Sequence, residues 1–268
     1  MPGVASGRAV LATQAAGQGD PLVFLHANVC DSRMWSAQMA ALAATHRVIA
    51  YDRRGFGGTR AEAEDFSPVA DLMAVIEALG EGRPLVLVGC SQGGRIAIDA
   101  ALRHPARIRG LVLIAPSLGG APEPAYPPAI RAMLDRQRAA EAVGDLDAVN
   151  ALKARLWLDG PLAAEGRVAG PMRDLFLEMN GIALRSPSLG QSLDTAPAFG
   201  RLHELRMPAL VAWGELDFPH IQDRCRQMAA AMPAATAQAL PGAAHLPSLE
   251  QPAIITDLLQ TFVQRLDG

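Results

Sequence analysis

From about residue 21 the chain alternates short, nearly unbroken apolar runs with longer stretches whose apolar residues recur at helical spacing. Pro21-Leu-Val-Phe-Leu-His26 predicts a first buried strand. Residues 31–44 predict a helix, with Met34, Trp35, Met39 and Leu42 near one face and Asp31 placed to cap its start. Arg47-Val-Ile-Ala-Tyr-Asp52 predicts the next strand, and Arg53-Arg-Gly-Phe-Gly-Gly58 a glycine-punctuated loop. A helix over 68–79 ended by Gly80, a strand over 84–89, a helix over 91–103 and a strand over 110–116 follow. Strands that are apolar at almost every position, separated by helices, are what a parallel sheet covered on both faces requires.

That rhythm breaks after Pro116. Residues 117–206 open on a proline-rich stretch (Pro122, Pro124, Pro127, Pro128) and then predict several helices with no clear strand. Alternation resumes with a strand over 208–214, a helix over 221–231, a short strand over 236–240 and a final helix over 252–266. The expected architecture is α/β: one doubly wound, mostly parallel sheet built from 1–116 and 207–268, interrupted after its sixth strand by helical residues 117–206.

The size suits this: 268 residues, half of them apolar, make one large domain or a core with an insertion. A net charge of only −3 with no block of like charges argues against nucleic acid, which needs a clustered basic surface. The longest apolar segments are strand-sized, and the first ten residues hold no leader-like apolar run, so a cytoplasmic location off the membrane is expected. Cys30, Cys90 and Cys225 are odd in number and far apart, which makes neither a disulfide framework nor a metal site. Basic residues are almost all arginine, Lys153 being the exception, a bias associated with GC-rich bacterial coding.

The strongest chemical signal is Gly89-Cys90-Ser91-Gln92-Gly93-Gly94, a G-x-S-x-G sequence lying between an apolar strand and a helix. In that context the sharp turn presents the serine oxygen at the sheet's carboxyl edge, and the small residues let the turn close. Cys90, one residue earlier, points into the fold and is expected to be a buried thiol. A serine at its free pKa needs a base held by a third group. Of six histidines, His46 and His104 sit at ordinary element ends, His26 closes a strand and orders the loop behind it, and His203 ends the helical region. His245 follows the last strand through Pro241-Gly242-Ala-Ala, a loop able to swing back over the sheet edge, and is preferred to His220. The orienting acid is expected in Gly214-Glu215-Leu216-Asp217, with Asp217 better placed than Glu215. Oxyanion donors are expected from the backbone N–H of Gln92 and from His26-Ala27-Asn28, with Asn28 chosen over Ala27. The chain order Ser91, Asp217, His245 is that of α/β hydrolases.

With these residues in hand, the chain resembles the α/β-hydrolase superfamily over nearly its whole length. The resemblance also rests on Trp35 after the His26 loop, Asp52-Arg-Arg-Gly-Phe-Gly57, and Gly242-Ala-Ala-His245 followed by Glu250-Gln-Pro252. It is nearest the branch of enol-lactonases, small esterases, haloperoxidase-type enzymes and C–C-bond hydrolases. It implies a helical cap at 117–206, no metal or organic cofactor, and a small ester or lactone as substrate, with a C–C-bond hydrolase or a ligand-binding protein as alternatives. Three departures stand out. Ala27 replaces the usual glycine after His26; a serine at the elbow excludes the aspartate-using dehalogenases and epoxide hydrolases; and Leu246-Pro247 follows His245 where C–C hydrolases often carry tryptophan.

Overall fold

A computed structural model describes residues 3–267, so residues 1, 2 and 268 of the expected core lie outside it. The strands are β1 (Gly3–Ser6), β2 (Ala9–Ala16), β3 (Pro21–Leu25), β4 (Arg47–Tyr51), the two-residue β5 (Arg60–Ala61), β6 (Leu85–Cys90), β7 (Ile108–Ile114), β8 (Ala209–Gly214) and β9 (Ala235–Leu240). They form one sheet in the order β1-β2-β4-β3-β6-β7-β8-β9, with β5 beside β2. From β4 to β9 every neighbouring pair is parallel. The antiparallel hairpin β1–β2 lies outside what the hydrophobic pattern predicts. Its positions alternate between more and less exposed, β1 having none that is fully buried, and its alanines and threonine give little apolar contrast to read.

The central strands are buried along their whole length because helices cover both faces. On one face Val23, Leu25 and Leu87 pack with Leu72 and Val75 of α2 (Pro68–Leu79), Ile96 and Ala97 of α3 (Gln92–Arg103), and Cys225 of α7 (Pro219–Ala231). On the other, Leu22, Phe24 and Val88 pack with Met39 and Leu42 of α1 (Ser36–Leu42), and with Ile255 and Leu259 of α9 (Pro252–Asp267). The helix expected over 31–44 is in fact split. Asp31 caps a 3₁₀ turn, Ser32–Trp35, by accepting a hydrogen bond from the Arg33 N–H, and α1 starts only at Ser36. None of the described helices is long and apolar enough to cross a membrane.

Between β7 and β8 the chain runs through α4 (Pro128–Ala142), α5 (Leu146–Lys153), a π-helical turn at Ala154–Asp159, α6 (Pro171–Arg185) and a 3₁₀ stretch at Phe199–Glu204. Of the apolar residues in this segment, Leu156, Leu158, Phe176 and Met179 are fully buried.

The chain leaves β3 for β4 on one side and reaches β6 on the other, so β3 and β6 flank a topological switch point. Ligands of open α/β sheets bind at the carboxyl ends of strands there. The N-terminal hairpin is pinned to this core by Arg54. Its guanidinium donates to Asp71 at 2.8 and 3.0 Å, to Glu64 at 2.6 Å and to the Ser6 carbonyl at 2.8 Å. The side chains of Arg54 and Asp71 are 2% and 6% exposed, so removing the cation strands a buried carboxylate. Arg54→Met is therefore expected to lower unfolding free energy by about 3–5 kcal/mol, read as a shifted urea midpoint.

Candidate active site

Ser91 caps α3 with φ 53° and ψ −116°, a left-handed backbone that side chains avoid. The turn is held by its own chain: the Ser91 N–H donates to the Ile114 carbonyl at 3.0 Å, and the Ser91 carbonyl accepts from Arg95 and Ser117 at 3.1 and 2.9 Å. It closes because of glycines. A methyl group on Gly89 would stand 2.6 Å from the Gly93 carbonyl carbon, and one on Gly93 would run into the Leu25 carbonyl at the end of β3. Cys90 is buried, its thiol pushed well above the usual range by burial, and its Sγ lies 3.5 Å from the His245 carbonyl. That agrees with the inward-pointing thiol expected from the sequence.

The loops after β8 and β9 meet where Gly214 packs on the Ala243–Ala244 backbone, a contact that leaves no room for a side chain. Across it, Asp217 Oδ2 lies 2.7 Å from His245 Nδ1, while Asp217 Oδ1 accepts from the Phe218 N–H at 2.7 Å. Both residues are buried, whereas Glu215 is exposed. The N–H groups of Ala244 and Leu246, on either side of His245, both donate to Glu250, at 2.7 and 2.9 Å. Arg167, from the segment between β7 and β8, pairs with the same carboxylate. The Glu250-Gln-Pro252 sequence is thus a brace for the histidine loop.

His26 is buried and neutral, its pKa drawn well below the usual value by burial and by Arg53. Its Nε2 accepts from the Arg53 N–H at 3.0 Å, which leaves the proton on Nδ1 to donate to the Ala27 carbonyl at 2.8 Å. That carbonyl also accepts from the Cys30 N–H and from Arg53 Nη2, both at 3.2 Å. Because C=O and N–H of a trans peptide point in opposite directions, fixing the Ala27 carbonyl fixes the Asn28 N–H.

Ser91, His245, Asn28 and Gln92 all line one cavity of about 340 Å³. Val29, Ser117, Gln137, Lys153 and Trp157 complete its wall. The Trp157 ring lies 4.6 Å from His245 and 4.7 Å from Phe218. Trp157 is the apolar residue that the segment between β7 and β8 gives to this wall, beside the polar Gln137 and Lys153, whereas Leu156, Leu158, Phe176 and Met179 are buried in the molecule's cores. Lys153 went unremarked as a site residue because a lone lysine on a helix usually faces solvent; burial holds its pKa below the usual value. His220 does not reach this cavity and packs instead against Phe218 and Tyr126.

This fold and this convergence of side chains at the switch point define an α/β-fold hydrolase. Residues 22–258 match the model of the alpha/beta hydrolase family, and the chain belongs to that family. It is 29% identical to a pimeloyl-[acyl-carrier protein] methyl ester esterase of Edwardsiella ictaluri, over 90% of this chain and 91% of that one. Among solved structures, a thermophilic esterase from Thermogutta terrifontis matches with a TM-score of 0.76 and 26% identity, covering 100% of this chain and 98% of that one. An enol-lactonase from Burkholderia xenovorans LB400 shares the fold, with a TM-score of 0.75, 23% identity and coverage of 98% and 100%.

Two outcomes follow from this geometry. Gly93→Ala forces the elbow away from β3 and is expected to cost at least ~10²-fold in kcat/KM on whatever substrate the enzyme turns over, since a misplacement of about 1 Å is enough for that. His220 is held down to about 4 by burial and Arg224. It is therefore already neutral well below pH 6, and His220→Ala should leave the pH–rate profile above pH 5 unmoved.

Proposed function

We propose that the protein is a serine hydrolase that cleaves a small carboxylic ester or lactone through an acyl-enzyme. The observation that carries this reading is the 2.7 Å contact of His245 Nδ1 with the buried Asp217, on a histidine that shares its cavity with the strained Ser91. In this reading Asp217 fixes the histidine tautomer, leaving Nε2 free to take the proton of Ser91 Oγ as that oxygen attacks the substrate carbonyl. The tetrahedral oxyanion is held by the backbone N–H groups of Gln92 and Asn28. His245 then returns the proton to the leaving alkoxide, and a water repeats the attack on the acyl-enzyme to free Ser91. Every step uses protein groups and water, so the mechanism invokes neither metal nor organic cofactor, and the partner is a small molecule in the cytosol.

Residues 117–206 act as a cap on the core formed by 1–116 and 207–268, with Trp157 as the side chain through which the cap meets the substrate. Support comes from the tilted contact of the Trp157 ring with His245 and from the tie between Arg167 and Glu250.

A fluorophosphonate probe is expected to modify Ser91 in the intact protein, with the adduct located by mass spectrometry on the peptide that contains it. Labelling of Cys90, or full activity in Ser91→Ala, sinks the assignment. On a panel of p-nitrophenyl esters and lactones, His245→Ala and Asp217→Asn are each expected to lose roughly 10⁴-fold in kcat, while Cys90→Ala retains most activity. Trp157→Ala is expected to reorder preference across ester chain lengths while moving Tm by no more than a few degrees.

A further inference from the structure

Arg53 is placed unlike its neighbour Arg54. Arg54 is neutralised by Asp71 and Glu64, whereas no carboxylate among the described residues forms an ion pair with Arg53. Its guanidinium lies over the Phe56 ring at 4.5 Å and donates through Nη2 to the Ala27 carbonyl at 3.2 Å and to Asn28 Oδ1 at 3.4 Å. These contacts use one end of the fork. Its Nε is buried without a hydrogen-bond partner, and so is the hydroxyl of Tyr51, a residue 1% exposed. Burial lowers the guanidinium only to about 10, so it stays charged at neutral pH.

Both side chains line a second cavity of about 180 Å³. Its wall includes Phe56 and Asp71, and it shares Asn28 and Gln92 with the catalytic cavity. Asp71 does not repel an anion there with a free carboxylate: its oxygens accept from Ser6 Oγ at 2.6 Å and from Arg54. Two buried donors without acceptors, one of them a cation without a counter-charge, each cost free energy unless an acceptor is brought to them. A carboxylate offers acceptors to a guanidinium and a hydroxyl at once. The space holds about six water-sized groups at ~30 Å³ each, enough for a carboxylate and a short methylene stem.

We propose that this side cavity is a subsite for a carboxylate carried by the substrate, held by Arg53 and Tyr51 next to the Asn28–Gln92 wall of the catalytic cavity. The hydrolysed ester or lactone is then acid-bearing. The proposal rests on the serine-hydrolase reading for the group that reacts, and on the side cavity alone for the group that binds. Lys153, which lines the catalytic cavity itself, is the competing anchor.

The test is calorimetric binding of adipate to the full chain and to Ser91→Ala, Arg53→Met, Arg53→Lys, Tyr51→Phe and Lys153→Met. Adipate is expected to bind wild type and Ser91→Ala alike. Binding should weaken by ~10- to 100-fold in Arg53→Met, the worth of a charged hydrogen bond, and by less in Tyr51→Phe and in Arg53→Lys, which keeps the charge. Should Arg53→Met fail to fold, those last two variants decide by the same ordering. Monoethyl adipate against ethyl hexanoate adds a second readout: the ratio of their kcat/KM values should favour the acid and fall at least about tenfold in Arg53→Met. Failure of adipate to bind, or a loss confined to Lys153→Met, overturns the subsite. Binding that follows Arg53 while no ester is turned over upholds the subsite and overturns the esterase reading; turnover of neutral esters without adipate binding does the reverse.

Discussion

The site depends on how closely two pieces of backbone approach one another at the carboxyl ends of β3 and β6. The turn at Ser91 lies so near Leu25 and His26 that only hydrogen can occupy the α-carbon substituent position at Gly93. That approach puts Gln92 and Asn28 on one cavity, although the first opens α3 and the second lies in the loop after β3. It also demands the left-handed turn at Ser91, a distortion of about 1–3 kcal/mol. The surrounding structure offsets it, because β6 is buried at every position and the Ser91 backbone is bonded on both sides. The strain is local, and the sheet that contains it is stiff.

Stiffness is supplied again on the other side of the cavity, by a different means. Asp217 and His245 sit on separate loops, and neither loop has regular structure to hold it. Gly214 lets the two loops touch, and Glu250 grips the histidine loop by the N–H groups flanking His245. The burial of Asp217 then costs little, because both carboxylate oxygens have donors. The His26–Ala27–Arg53 contacts do comparable work at the Asn28 amide.

Much of this was legible from residue pattern alone. The parallel strands could be read because a strand buried on both faces writes itself as consecutive Val, Ile and Leu. The hairpin β1–β2 escaped because it is covered on one side and its small residues blur the alternation. The convergence of Ser91, Asp217 and His245 could be expected because a motif and its strand–helix setting coincide at Ser91, and because Asp217 and His245 each follow a strand at the same edge. Some things were hidden. Arg53 and Lys153 acquire their meaning from what packs against them, and nothing in their spacing says which way a side chain faces. The split of the first helix was equally unreadable, because a 3₁₀ turn and an α turn share similar residues.

The π-helical turn at Ala154–Asp159 holds one more residue than an α-helix of the same reach would. An α-helix advances about 100° per residue. Losing a single residue there would restore regular winding and rotate Trp157 off His245, without disturbing the sheet, the elbow or the paired loops. The aromatic wall of the cavity is in this sense a matter of chain length more than of side-chain identity. A three-nucleotide deletion would thus reshape the cavity while leaving Ser91, Asp217 and His245 in place.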